Sequence, residues 1–123
     1  MYKYPISDRE RLKFERKLAN FTVKSGCHIW SGNAISQHGY GLIRVVFRGK
    51  RTQFKVHRLA YFLRIKQSLD PYYHVSHLCH NKLCLKFTHL SYEPALINNS
   101  RNSCKNDGEC HGHRGYQNCI LQK

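Results

Sequence analysis

Ser76-His77-Leu78-Cys79-His80-Asn81-Lys82-Leu83-Cys84-Leu85-Lys86-Phe87-Thr88-His89-Leu90 sets three soft metal ligands at even intervals. Cys79, Cys84 and His89 are separated by four residues each, close enough in sequence to grip one zinc ion. His77 stands two residues before Cys79. On a strand, residues two apart share a face, so a metal clamp here also fixes the position of a histidine. A small protein gains a rigid site in this way without a large core.

Structural zinc takes four ligands in a tetrahedron, and this stretch supplies three. Cys27 is the remaining upstream cysteine and is expected to close the set. The tail offers a second set, Cys104-x5-Cys110-x2-His113-x5-Cys119, in which His111 competes with His113 for the imidazole position. Two such sites use all six cysteines of the chain. A secreted three-disulfide domain would leave the ligand-spaced histidines unexplained. Met1-Tyr2-Lys3-Tyr4-Pro5 lacks the apolar core of a secretory signal. An intracellular, reducing setting is therefore expected, the nucleus in a eukaryotic host and the cytoplasm otherwise.

The chain has 123 residues and a formal net charge of +14. Its length predicts one domain, residues 1–123. Within it an N-terminal helical part covers 1–26, a central core 27–102 and a zinc-bound tail 103–123. No acidic residue lies between Glu15 and Asp70, a window that holds eleven Lys and Arg. A one-sign surface of this kind repels itself unless a polyanion meets it, which makes nucleic acid the leading partner. An anionic membrane is disfavoured, because no apolar run approaches membrane-spanning length.

Ser7-Asp8-Arg9-Glu10 has the form of a capping box, and Phe14, Leu18 and Phe21 follow at helical spacing. The pattern predicts a helix from about Asp8 to Asn20. Cys27-His28-Ile29-Trp30 opens an extended segment after Ser25-Gly26. Leu42–Phe47 and Arg51–Val56 read as strands joined tightly through Arg48-Gly49-Lys50. A two-stranded ribbon fits the DNA major groove, and this one carries Arg44, Arg48, Lys50, Arg51, Gln53 and Lys55 as candidate DNA contacts. His57–Lys66 has a helical pattern, Tyr73–Leu78 reads as a strand, and Glu93-Pro94 is expected to open a last helix carrying Asn98 and Arg101.

Cleaving a phosphodiester needs an activated water, a cation at the phosphate and stabilisation of the leaving oxygen. The chain holds seven acidic residues, none of them in 71–92, so a carboxylate-rich two-metal site is hard to assemble. A one-metal site needs less: one protein oxygen, the phosphate and waters around Mg2+. Asn98 can offer its amide oxygen and His77 can take the proton from water. The plain alternatives are a surface asparagine and a packed histidine.

These residues form a recognisable set. Ser76-His77-Leu78-Cys79-His80-Asn81, Cys84, His89-Leu90 and Asn98 resemble the His-Cys box homing endonucleases, within the wider ββα-metal (HNH-like, His-Me finger) nucleases. Cys27-His28-Ile29-Trp30-Ser31-Gly32, Gly39-Tyr40-Gly41 and Val56-His57-Arg58-Leu59-Ala60-Tyr61 resemble phage-type HNH nucleases of the same layout. The resemblance runs from about Cys27 to Cys119. It implies His77 as general base and Asn98 as ligand of one Mg2+. It implies zinc on Cys27, Cys79, Cys84 and His89, and a second zinc on Cys104, Cys110, a histidine and Cys119. It also implies an arginine near the scissile phosphate, for which Arg51 and then Arg44 are the candidates. The long C-terminal arm that family homing enzymes exchange across a dimer has no counterpart before Lys123, so an arm-swapped dimer is not expected.

The expected protein is therefore α+β, a small zinc-stabilised domain with antiparallel β-hairpins and a ββα-metal (His-Me finger) motif. It is expected to be a Mg2+-dependent endonuclease of double-stranded DNA with two structural zinc ions. The competing expectations are a zinc-stabilised DNA-binding module without catalysis, and a protein directed at RNA, whose deep major groove suits the basic ribbon less well.

Overall fold

The computed structural model describes residues 2–32 and 35–121. It opens with helix α1, Asp8–Leu18. The capping box forms as the sequence indicates. Ser7 Oγ accepts from the Glu10 N–H at 3.1 Å, and the Glu10 carboxylate accepts from the Ser7 N–H at 3.0 Å. The helix stops at Leu18, short of Asn20, because the chain turns at once into strand β1, Phe21–Lys24, paired with β2, Cys27–Trp30.

The basic ribbon is β3, Leu42–Phe47, antiparallel to β4, Lys50–Lys55. Arg48 (φ 50°) and Gly49 (φ 80°) form its two-residue turn, the left-handed pair that matches strand twist. Ile43, Val45 and Phe54 point into the core. Arg44, Val46, Arg51, Gln53 and Lys55 remain exposed. Val56, read as strand from the sequence, instead opens helix α2, Val56–Ile65. Phe14 and Leu18 of α1, Phe54 of β4, Leu59 and Phe62 of α2, and Val75 meet in one apolar cluster.

Strand β5, Tyr73–His77, pairs antiparallel with β6, Leu90–Pro94, and helix α3, Ala95–Asp107, packs back on both. This is a ββα unit, with the ligand-bearing knuckle inserted between its strands. Here the structure corrects the sequence expectation. Glu93 and Pro94 do not open the helix; they close β6, and Pro94 is the residue before the first helical turn. Glu93 is completely buried there, which no local pattern announces. Helix α3 runs past Ser103, so Cys104 stands on a helix and carries the tail ligands into contact with the ββα unit.

Candidate metal centres and active site

The knuckle folds back on β2. The Trp30 N–H donates to the Leu83 carbonyl and the Leu85 N–H to the His28 carbonyl, both at 2.8 Å. This pairing delivers Cys27 to the three downstream ligands. The ligand atoms of Cys27, Cys79, Cys84 and His89 all lie within 4.8 Å of one another. His89 Nδ1 is 3.5 Å from Cys27 Sγ and 3.6 Å from Cys84 Sγ. Tetrahedral zinc with ordinary Zn–S and Zn–N bonds sets such atoms roughly 3.6 Å apart, so the group fits one zinc ion. The thiols show why a cation belongs here. Cys79, hydrogen-bonded to Cys84, has its pKa raised, while the same contact lowers that of Cys84. Thiolates packed this closely repel one another unless a cation lies among them.

The second group is Cys104, Cys110, His113 and Cys119. His113 Nε2 lies 3.5, 3.4 and 3.4 Å from the three sulfurs. His113 Nδ1 is 2.8 Å from Ser100 Oγ, which itself donates to the Ile97 carbonyl. Nδ1–H therefore donates to Ser100 and Nε2 is free for metal, the outer-shell arrangement of zinc-bound histidines. His111, the other candidate, faces Asp107 instead, at 2.8 Å. Both Cys3His groups thus fit structural zinc.

Between the ββα unit, α2 and the Gly39-Tyr40-Gly41 turn lies a cavity of about 150 Å³, room for about five waters. His77, the last residue of β5, borders it. Its Nε2 is 3.0 Å from the Cys84 carbonyl oxygen. Nε2–H must donate there, which leaves the Nδ1 lone pair available. Burial lowers the His77 pKa to about 4, so the imidazole is neutral at physiological pH. His57 packs against it at 4.3 Å between ring centroids, and Tyr40 stacks over both rings. Burial holds the His57 pKa well below 6.5. Next to Tyr40, Gly41 lets the backbone pass close over Trp30, where a Cβ would sit 2.6 Å from Trp30 Cδ1.

Asn98, in the first turns of α3, borders the same cavity. Ser76 Oγ touches both Glu93 Oε2, at 2.7 Å, and the Asn98 amide, at 2.6 Å from Oδ1. A hydroxyl has one proton, and the carboxylate is the stronger acceptor. The amide satisfies Ser76 only by turning its NH2 edge to the hydroxyl oxygen. Amide oxygen and nitrogen are nearly isosteric, and this half-turn frees the Asn98 oxygen for the cavity. Among the described residues, no carboxylate lines the cavity. Glu93 is occupied by Arg101 at 2.7 and 2.8 Å. A single amide oxygen with space for water and a phosphate suits Mg2+, which keeps most of its own waters.

The structure does not bring Arg44 and Arg51 to this cavity. They line a separate depression on the ribbon with Gln53, and Arg44 Nε donates to Gln53 Oε1 at 3.2 Å. Arg48 sits at the turn and pairs with Glu10 at 3.0 Å, and Lys50 flanks that turn on an exposed position. The cations at the cavity are Lys55, Arg58, Lys82, Arg101 and Lys105. Arg58 is engaged with the Tyr73 and Asp70 carbonyls, at 2.7 and 2.8 Å. Lys55 and Lys82 lie over the Tyr40 ring, at 5.1 and 5.3 Å from its centroid. Lys82, inside the knuckle, and Lys105, on α3, are cavity cations that no motif sets apart from the other basic residues in the sequence. The partnership of Ser76, Glu93 and Arg101 likewise has no sequence signal, because their spacing carries no motif.

Among the described residues, no helix is long and apolar enough to cross a membrane. No curated protein matches the chain with significance. The family described as the zinc-binding loop region of homing endonuclease matches residues 26–122. That span takes in the β1–β2 turn, the basic ribbon, the ββα unit and both Cys3His groups, and it ties the chain to nuclease-related DNA binding. With two zinc-fitting groups in place and most of its length matched, the chain belongs to the family of homing-endonuclease zinc-binding domains.

Proposed function

We propose that the protein is a Mg2+-dependent endonuclease that hydrolyses phosphodiester bonds of double-stranded DNA by a one-metal route. The observation that carries this is the orientation of His77. One imidazole nitrogen is committed to the Cys84 carbonyl, and the other is a neutral base bordering a cavity that also holds Asn98 and several cations.

In this reading His77 Nδ1 takes the proton of the attacking water. Tyr40 and His57 hold the ring in plane and shield it from bulk solvent. Asn98 presents its amide oxygen to Mg2+. When bound, Mg2+ supplies positive charge to the scissile phosphate and the leaving oxygen. Lys55 and Lys82 meet the phosphate from the Tyr40 side. Arg44, Arg51 and Gln53 lie farther out on the ribbon and contact the flanking duplex, with Gln53 and Lys55 bordering a common groove that leads toward His74 and the cavity. A setting inside the cell, in the nucleus of a eukaryotic host or in the cytoplasm otherwise, belongs to the same proposal and is supported by two thiolate-rich groups that suit a reducing compartment.

Plasmid nicking with Mg2+, against an EDTA control, tests the proposal. His77→Ala is expected to abolish nicking and to retain two zinc ions and DNA affinity. A variant that nicks as fast as the parent sinks the mechanism. A parent that binds duplex without ever cutting it is a DNA-binding module instead.

A further inference from the structure

The side chain of Arg101 reaches two places at once. Its Nε and Nη2 donate to the two Glu93 oxygens, at 2.8 and 2.7 Å. Its Nη1 donates to Cys119 Sγ at 3.3 Å, and Nη2 also reaches the Gln117 carbonyl at 2.8 Å. Glu93 is fully buried and Arg101 is 2 % exposed. Glu93 in turn accepts the Ser76 hydroxyl proton, and Ser76 Oγ meets the Asn98 amide. A continuous line of hydrogen bonds, charge-assisted as far as Ser76, therefore runs from a ligand of the tail metal group to Asn98.

We infer that Ser76, Glu93 and Arg101 form a positioning relay that fixes the Asn98 amide with its oxygen toward the cavity and links that orientation to the Cys119 metal group. Each step has a chemical reason. Arg101 can donate but never accept, so it locks Glu93 as a carboxylate. Glu93 orients the only proton of Ser76 away from Asn98. Ser76 is left as an acceptor, which selects the NH2 edge of the amide. The tail metal group ends the line, because a metal-bound Cys119 sulfur keeps its negative charge and holds the far side of Arg101. A simple ion pair would need neither Ser76 nor Cys119. The value of this arrangement to the reaction rests on the reading of Asn98 as a Mg2+ ligand; the arrangement itself does not.

The test uses the zinc-loaded full chain. In nitrogen-15 spectra the Asn98 side-chain NH2 pair is expected to be shifted from free-amide positions and slow to exchange. Ser76→Ala should return it to free-amide values while both zinc ions stay bound. Arg101→Lys keeps the charge beside Glu93 and drops the Cys119 contact, so it should move the same signals part of the way. The double variant should look like Ser76→Ala alone. A second readout is Mn2+ affinity of the His77→Ala protein on duplex DNA, from the free-Mn2+ resonance signal. Adding Ser76→Ala should weaken it about tenfold, as outer-shell changes do. Asn98 signals that stay put in Ser76→Ala, or effects of the two substitutions that simply add, overturn the relay. A parent protein that never cuts DNA while its Asn98 signals respond as described defeats the endonuclease reading and leaves the relay standing.

Discussion

His77 Nε2 lies 3.0 Å from the backbone oxygen of Cys84, so a metal ligand supplies the hydrogen bond that sets the tautomer of the candidate base. The knuckle is short, and Cys84 cannot shift without moving that oxygen. Metal removal from the first group is therefore expected to act on His77 as well as on stability. Cys27→Ser leaves the ββα strands intact in sequence but opens the first group. The expected outcome is one zinc ion per chain instead of two, a lower melting temperature and loss of nicking. Zinc analysis beside a nicking assay checks it. Full activity with one zinc would separate His77 from the metal group.

The ionisation of His77 gives a second expectation. Burial lowers its pKa from 6.5 to about 4, and kcat/KM reports the ionisations of the free protein. The acid limb of kcat/KM should therefore fall well below pH 6.5. A limb centred at 6.5 would mean that His77 is solvated or is not the base.

Stability should follow pH in the same region through His57. Its folded pKa is lowered by burial, well below the ordinary 6.5. Between the two values the unfolded chain binds the extra proton, so stability is complete above pH 6.5 and falls as the pH drops below it. One such group contributes at most about 1.4 kcal/mol per pH unit. His77, lowered by burial in the same way, adds a slope of the same sign, so urea unfolding of the zinc-loaded protein at stepped pH should show both contributions, and His57→Gln should reduce the slope without abolishing it. An unchanged slope in the variant would assign the dependence to other groups.

Much of this site was legible in the sequence because its chemistry is local. Cys79, Cys84 and His89 announce themselves by spacing, and the exhaustion of all six cysteines into two groups recovers Cys27 and the tail set. The capping box and the basic ribbon were visible for the same reason. Strand β6 was not. Leu90–Pro94 is brief, follows a metal ligand and ends in Glu93-Pro94, which has the composition of a helix start. What makes it a strand is pairing with Tyr73–His77 and a buried ion pair between Glu93 and Arg101, eight residues apart and on different elements. No helical or strand period links those two positions. The placement of Arg44 and Arg51 away from the cavity depends on how the whole ribbon packs against the ββα unit, which its own register and its turn at Arg48-Gly49 do not encode.

The Glu93–Arg101 pair gives a stability prediction of its own. Breaking a buried pair strands one charge and commonly costs about 3–5 kcal/mol. Glu93→Gln should lower the urea midpoint accordingly. Glu10→Gln, which breaks the exposed Glu10–Arg48 pair, should change it far less, because solvent screens that pair. Equal effects from the two substitutions would contradict the burial of Glu93.

The ribbon can be tested one cation at a time. Arg44 and Arg51 stand on its exposed face, with Gln53 between them and Lys55 toward the cavity. Arg48 is already held by Glu10 in a two-point contact, at 3.0 and 3.2 Å, which pulls the Glu10 pKa down to about 2. A cation that neutralises a DNA phosphate releases a counterion, and its loss lowers the salt slope of log affinity by about 1. Arg44→Ala and Arg51→Ala should each do so, whereas Arg48→Ala should change the slope less, because its charge is already partly compensated. Duplex binding measured across a salt series distinguishes these outcomes. If Arg48→Ala flattens the slope as much as Arg51→Ala, Arg48 leaves Glu10 when DNA binds, and the ribbon turn rather than its face leads into the groove.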